Sequence, residues 1–210
     1  MEIELKYRLE NEDIAKQVEE VTLNSDYTVE SSDQQLDMRA VYFDTEDGLL
    51  QKNLIAFRIR KEGARNIATL KWGGKQEGSL HVREELNISV GSGEIPVSPD
   101  IDVFSQSEIG EKMIQIIGHK KLIPIMNIDI KRHQWQAEDE NTVVEFCFDD
   151  GEIKVGSQIE KIREMEIELI TGDENKLLIL GDRLSEKYGL QPEKRSKYER
   201  GLALLNKINK

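Results

Sequence analysis

Glu2-Ile3-Glu4-Leu5-Lys6-Tyr7-Arg8 alternates ionised and apolar side chains without a break. On a strand, side chains two apart share a face. One face therefore carries Glu2, Glu4, Lys6 and Arg8, and the other Ile3, Leu5, Tyr7 and then Leu9. A solvated edge strand would show the same pattern, so one such strand decides nothing. Its recurrence does. Arg58 and Arg60 share a face, with Phe57 and Ile59 opposite. Lys71 ends a strand-like run with Thr69 on its side, and Arg83 pairs in parity with Glu85, leaving Glu84 outward. Glu164, Glu166 and Glu168 alternate with Met165, Ile167 and Leu169, and Lys194-Arg195-Ser196-Lys197 follows. Surface strands ordinarily mix in Thr, Ser and Gln; these faces are almost wholly Arg, Lys and Glu.

Around these stretches, periodicity predicts a helix over 10–21 and strands over 36–44, 54–61, 65–72 and 80–88, with a hairpin at Gly63. Gly91, Gly93, Pro96 and Pro99 break regular structure ahead of a helix at about 100–117. Strands are predicted again over 123–137, 142–149, 152–155 and 160–170. A helix over 173–188, with Leu177, Leu180 and Leu184 at helical spacing, stops at Gly189, and 197–207 reads as a last helix. With no repeat or long linker, one domain over 1–210 is expected.

Composition excludes several classes. The 210 residues carry 41 acidic and 29 basic side chains, for a net charge of −12. Such a chain is a poor non-specific binder of nucleic acid or membranes, and a polyanion would need a local, shielded basic site. A lone cysteine, Cys147, rules out an internal disulfide and a cysteine-rich zinc site, and His81, His119 and His133 show no metal spacing. No signal-peptide profile or membrane-length apolar run is present, and a reducing cytoplasm is the expected location.

A sheet with one apolar and one ionic face can lie open, or curl so that the charged face lines a cavity. The amphipathic helices would then cover the apolar exterior. Composition leaves both arrangements open. Inside a cavity, Arg58, Arg60, Lys71, Arg83 and Lys197 would suit an anion of several phosphates. Paired glutamates would bind a hard divalent cation through oxygen. Together these are the parts of metal-assisted phosphoryl transfer.

At this point the chain resembles the CYTH domain, or triphosphate tunnel metalloenzymes. Glu2, Glu4 and Lys6 match the ExExK signature, and Tyr42-Phe43-Asp44-Thr45 is similar to the family's YFDT. Ala56-Phe57-Arg58-Ile59-Arg60, Ala68-Thr69-Leu70-Lys71, Arg83-Glu84-Glu85 and Lys131-Arg132-His133-Gln134-Trp135 resemble later motifs. So do Phe148-Asp149-Asp150-Gly151, Glu166-Ile167-Glu168-Leu169 and Ser196-Lys197, in order over nearly the whole chain.

The resemblance implies an α+β fold: a closed tunnel of eight antiparallel strands with a charged interior and helices packed outside. It implies that Arg58, Arg60, Lys71, Arg83 and Arg132 clamp a phosphate chain, with Lys6 and Lys197 assisting and Arg8 lining the tunnel. Glu2, Glu4, Glu166 and Glu168 would hold one or two Mg²⁺ or Mn²⁺ ions, with Glu85 and Asp149 as additional ligands. Glu4, Lys6 and Glu168 would stand nearest the chemistry. Lys131 and Arg132 must face opposite ways, as must Asp149 and Asp150; the motif selects Arg132 and Asp149. Glu164 shares the inner face but lies far along its strand. A tunnel crowded with cations would repel itself when empty.

Other residues have plainer readings. Asp44 and Thr45 suit local turn bonding, Trp72 and Trp135 packing, His81 and His133 a polar wall or surface, and Cys147 a small buried hydrophobe. The expected activity is hydrolysis of triphosphates, inorganic triphosphate first, by a monomer or homodimer without nucleic-acid or membrane partners. Alternatives within the resemblance are a thiamine triphosphatase and a class IV adenylyl cyclase taking a nucleoside triphosphate. A non-catalytic polyphosphate-binding module is the remaining alternative, disfavoured by the intact glutamate pairs at both chain ends.

Overall fold

The alternating stretches become the staves of a barrel. A computed structural model describes residues 1–25 and 27–208. Its strands are β1 (Glu2–Arg8), β2 (Gln34–Thr45), β3 (Ile55–Glu62), β4 (Arg65–Glu77) and β5 (Leu80–Ser89). They continue with β6 (Leu122–Asp139), β7 (Thr142–Val155), β8 (Gln158–Thr171) and the two-residue β9 (Gln191–Pro192). The order is β5-β4-β3-β2-β6-β7-β8-β1, and β1 also pairs with β5, closing eight antiparallel strands into a ring, while β9 extends one end of β1. The curled arrangement is therefore the one adopted. Closure sets Glu2 opposite Arg83 on β5, and Glu4 and Lys6 opposite Glu168 and Glu166 on β8.

Two glycines permit the curvature. Gly74 (φ +111°) sits where the β4–β5 register shifts between Trp72 and Lys75; a Cβ there would lie 2.6 Å from the Val82 carbonyl oxygen. Such a bulge sharpens the local twist. Gly151 on β7 lets β6 approach so closely that a Cβ would lie 2.1 Å from the Asp129 carbonyl oxygen. Because Gly151 stays extended, the two strands expected over 142–149 and 152–155 are one.

The helices are α1 (Glu12–Leu23), α2 (Leu49–Lys52), α3 (Glu108–Ile117), α4 (Glu174–Tyr188) and α5 (Lys197–Ile208). Asn11 caps α1 and Ser107 caps α3 by accepting from Ile14 and Gly110 N–H, so both helices begin later than periodicity predicts. Two apolar clusters cover the barrel's outside. In one, Leu5, Tyr7, Trp135, Phe146 and Phe148 pack with Val18 of α1 and with Leu177 and Leu184 of α4. In the other, Phe43, Phe57, Ile59 and Leu70 pack with Phe104 and with Met113 and Ile117 of α3. The third cluster lies on the inner face at one end, where Leu204 of α5 packs among Tyr42, Met126, Ile128, Ile153 and Ile162. Thus α5 caps one end of the barrel. Among the described residues no helix is long and apolar enough to cross a membrane.

Candidate active site

The inner face encloses a cavity of about 450 Å³. Its exposed lining residues, Gln34, Gly63, Arg65, Asn87 and Ile170, mark the mouth, and Ser196, Lys197 and Tyr198 form the capped end. Charge dominates the wall. Lys6, Arg58, Arg60, Arg65, Lys71, Arg83, Arg132 and Lys197 face Glu2, Glu4, Glu62, Glu85, Glu145, Glu166 and Glu168. Eight cations against seven carboxylates leave the empty cavity close to neutral overall, so the expected self-repulsion of a cation-crowded tunnel is confined to neighbours such as Arg58 and Arg60.

The cations fall into two groups. Lys6, Lys71, Arg132 and Lys197 are tied to carboxylates. The Lys6 ammonium donates to Glu4 at 2.8 Å and also to Glu166. Lys71 donates to both oxygens of Glu2 at 2.8 Å and pairs with Glu85. Arg132 grips Asp149 with two 2.7 Å bonds and reaches Glu166 at 2.7 Å. Lys197, carried in by α5, meets Asp149 and Glu166 at 2.8 Å and Glu164 as well. Behind it Arg200 binds Glu164 and Glu160 at 2.7 Å.

The second group is freer. Among the described residues Arg60 meets only Glu62, at 2.6 Å, and Arg83 only Glu199, at 3.2 Å. Arg58 makes no ion pair among the described residues; Nη1 donates to the Tyr42 hydroxyl at 3.5 Å. The buried Nε atoms of Arg58 and Arg60 have no hydrogen-bond partner among the described residues, leaving donors available to an anion.

These contacts move protonation equilibria. Burial disfavours the Lys6 ammonium, but Glu166 and Glu4 outweigh it and raise its pKa. Burial likewise opposes ionisation of Glu85, yet Lys71 and Arg58 pull it down to about 2. Burial, with Arg58 alongside, lowers Arg60 to about 10. Glu168 has no cation in contact among the described residues. Burial, with Glu2 and Glu4 beside it, pushes Glu168 up to about 7.

The acids expected to hold metal do not form one set. Oxygens of Asp149, Glu164 and Glu166 lie within 4.8 Å of one another. That group includes Glu164, discounted from sequence as too far along β8, but Arg132, Lys197 and Arg200 already neutralise it. Glu2, Glu4 and Glu168 stand on the other side of Lys6, on adjoining inner positions of β1 and β8. Their all-oxygen donors suit a hard divalent cation, and of the three Glu168 is the one that no cation contacts among the described residues. Glu85 stays with Lys71.

Two expected residues do not line the cavity: Asp149 is fully buried against Arg132 and Lys197, and Arg8 lies elsewhere. Arg8 has the right parity but lies at the strand end beside β9, where its half-exposed guanidinium binds buried Glu193. Arg132 and Asp149 face inward, as the motif selects, while Asp150 is exposed and pairs with Arg163. Glu84 faces out. Asp44 bonds locally, accepting from Leu50 and Gln51 N–H at 2.8 and 3.0 Å. Trp135 is core, stacked on Phe148 and Phe146, and Cys147 is buried. His81 is buried with Nε2 donating to the Glu193 carbonyl. His133 lies outside the barrel between Glu19 and Asp33. Sequence reasoning missed Glu145, although it shares parity with Asp149, and Arg200, three residues from Lys197 on one helical face.

Comparison with known proteins gives a consistent picture. The CYTH domain model matches residues 1–202. The inorganic triphosphatase of Haemophilus influenzae is 29% identical over 174 residues, covering 83% of this chain and 47% of that protein. The chain thus spans about half the length of this curated relative. Among solved structures, a candidate adenylyl cyclase from Hippeastrum, described as revealing a dominant triphosphatase activity, superposes with a TM-score of 0.67 and 20% identity over 94% of this chain and 93% of that one. A candidate adenylate cyclase from Bacillus halodurans gives 0.60 and 19% over 95% and 96%. The Mimivirus capping enzyme triphosphatase gives 0.52 and 14% over 87% of each chain. At such identities these structures attest the fold alone.

Proposed function

Because the chain belongs to the CYTH domain family, we propose that it is a metal-dependent triphosphatase that releases the terminal phosphate of inorganic triphosphate. The observation that carries the reading is a closed cavity in which unpaired guanidinium donors face a row of carboxylates. Arg58, Arg60 and Arg83 would take the phosphate oxygens first, since their donors are least committed. Lys71, Lys6, Arg132 and Lys197 would complete the clamp and stabilise charge building on the leaving oxygens. Glu2, Glu4 and Glu168 would hold Mg²⁺ or Mn²⁺, with Glu85 and Glu145 nearby on the same wall. The metal would supply charge neutralisation and an acidified water. By capping one end, α5 restricts water and directs a phosphate chain inward from the mouth.

The test is product analysis with purified protein, Mg²⁺ or Mn²⁺, and inorganic triphosphate, ATP or thiamine triphosphate. Rapid orthophosphate release from inorganic triphosphate, with weak action on the other two, is expected. Cyclic AMP and pyrophosphate from ATP would replace the proposal with a cyclase, and no turnover with any substrate would leave a binding module.

A further inference from the structure

The lysines of the cavity are not waiting for substrate. An ammonium has three N–H donors, and Lys71 meets three carboxylate oxygens, two from Glu2 and one from Glu85. Lys6 is shared between Glu4 and Glu166. Glu2 and Glu4 are the two β1 carboxylates proposed to hold metal. In this state each points its oxygens at a lysine, and with Glu168 they do not form a converged group of the kind found at Asp149, Glu164 and Glu166.

From this geometry we infer that Lys71 and Lys6 act as internal counter-ions that occupy the metal carboxylates, so that metal and polyphosphate bind cooperatively by exchanging partners. The inference rests on the proposed function. A divalent cation arriving alone at Glu2 displaces a half-buried ammonium from both Glu2 oxygens and leaves it only Glu85. A polyphosphate arriving alone draws Lys71 away and leaves Glu2 bare beside a polyanion. When both arrive, Lys71 turns from Glu2 to phosphate while keeping Glu85, and Glu2 turns to the metal, so that both exchanged charges stay paired. Such an arrangement makes the empty protein a poor ligand for free metal and a good one for metal and triphosphate together. Coupling of this kind is typically worth roughly 5–150-fold in affinity.

Two pairs of binding measurements on the full chain test it, neither needing turnover. The first is Mn²⁺ alone, without phosphate, titrated by calorimetry or electron paramagnetic resonance. Lys71→Met should bind Mn²⁺ at least about fivefold tighter than wild type. Arg58→Gln, which removes a cavity cation that pairs with no carboxylate, should gain less. The second is inorganic triphosphate in excess EDTA, where Glu2→Gln removes the charge that holds Lys71 through two of its bonds, leaving it Glu85, and should bind tighter than wild type. Glu145→Gln removes an equal charge from the same cavity without releasing a lysine, and should gain less. The second pair also decides the matter if Lys71→Met fails to fold. Equal gains within each pair would reduce the effect to general cavity charge and overturn the exchange. Weaker Mn²⁺ binding by Lys71→Met would do the same. If wild type turns over no triphosphate yet both pairs diverge, the proposed function fails and the exchange stands; turnover with no divergence gives the reverse.

Discussion

Replacing Lys6 and replacing Arg58 should have opposite balances of stability and binding. Lys6 is 6% exposed and supplies the one cation among the described residues in contact with Glu4, itself 5% exposed. In Lys6→Ala, Glu166 keeps Arg132 and Lys197, but Glu4 is left as a buried carboxylate without a partner. Breaking a buried pair from one side costs about 3 kcal/mol at the lower end of its range. For a chain of this size that lowers Tm by roughly 6–12 °C. Arg58 presents a different case, because no contact ion pair breaks on its removal, and Glu2 and Glu85 keep Lys71. The cost of Arg58→Ala is set at about 1 kcal/mol or less, or roughly 2–4 °C. Its binding cost is large, since at least one charge-assisted hydrogen bond is lost, weakening metal-free triphosphate binding by roughly 10–100-fold. Scanning calorimetry in EDTA at low salt, beside triphosphate titration of the same samples, reads both quantities. A Tm loss for Arg58→Ala equal to that for Lys6→Ala would refute the division of the cavity into committed and free cations. So would an unchanged Tm for Lys6→Ala.

Three further outcomes are expected. His133 donates both ring N–H groups, to Glu19 and Asp33, and these carboxylates overcome its burial to raise its pKa. Its stabilisation is therefore full below the unfolded value and is lost as pH rises through the folded one. Melting curves between about pH 5 and 8 should show His133→Gln least stable relative to wild type at the acid end; a constant gap would contradict the charged clamp. Gly151→Ala should destabilise by about 1–3 kcal/mol, because its Cβ would press on backbone rather than on a side-chain tip. Denaturant titration measures it, and full stability would mean β6 and β7 can part without cost. Glu168→Gln should keep the fold but lower metal-dependent turnover by at least about 10–100-fold, and wild-type turnover would remove Glu168 from the metal set.

Much of the barrel was legible because its strands alternate strictly, and period two survives any tertiary context. Whether the sheet closed was not legible from alternation. Closure depends on Glu2 meeting Arg83 and Glu4 meeting Glu168, pairings that no local pattern encodes. Parity placed Lys6, Arg58, Arg60, Lys71, Arg83 and Glu166 on the cavity wall correctly and failed for Arg8, because parity gives a face and not a depth. Glu164 was undervalued for the converse reason. Its partners, Lys197 and Arg200, arrive on a helix that caps the barrel, and helix placement is set by apolar contacts around Leu204. The split of the acids into one group held by Arg132, Lys197 and Arg200 and another on the far side of Lys6 was equally hidden, since it depends on which cation each carboxylate meets.

The first strand is also the seam of the barrel. It joins β5 on one side and β8 on the other, and the bond from Lys6 to Glu166 spans 160 residues of chain. Contacts of such sequence separation are made late in folding, since most of the loop-closure entropy must be met before they form. Of the proposed metal carboxylates, Glu2 and Glu4 lie on β1 and Glu168 across the seam on β8. Until it zips there is a sheet with a charged face, but no cavity, so the ability to hold a polyphosphate is acquired in the same step that completes the native topology.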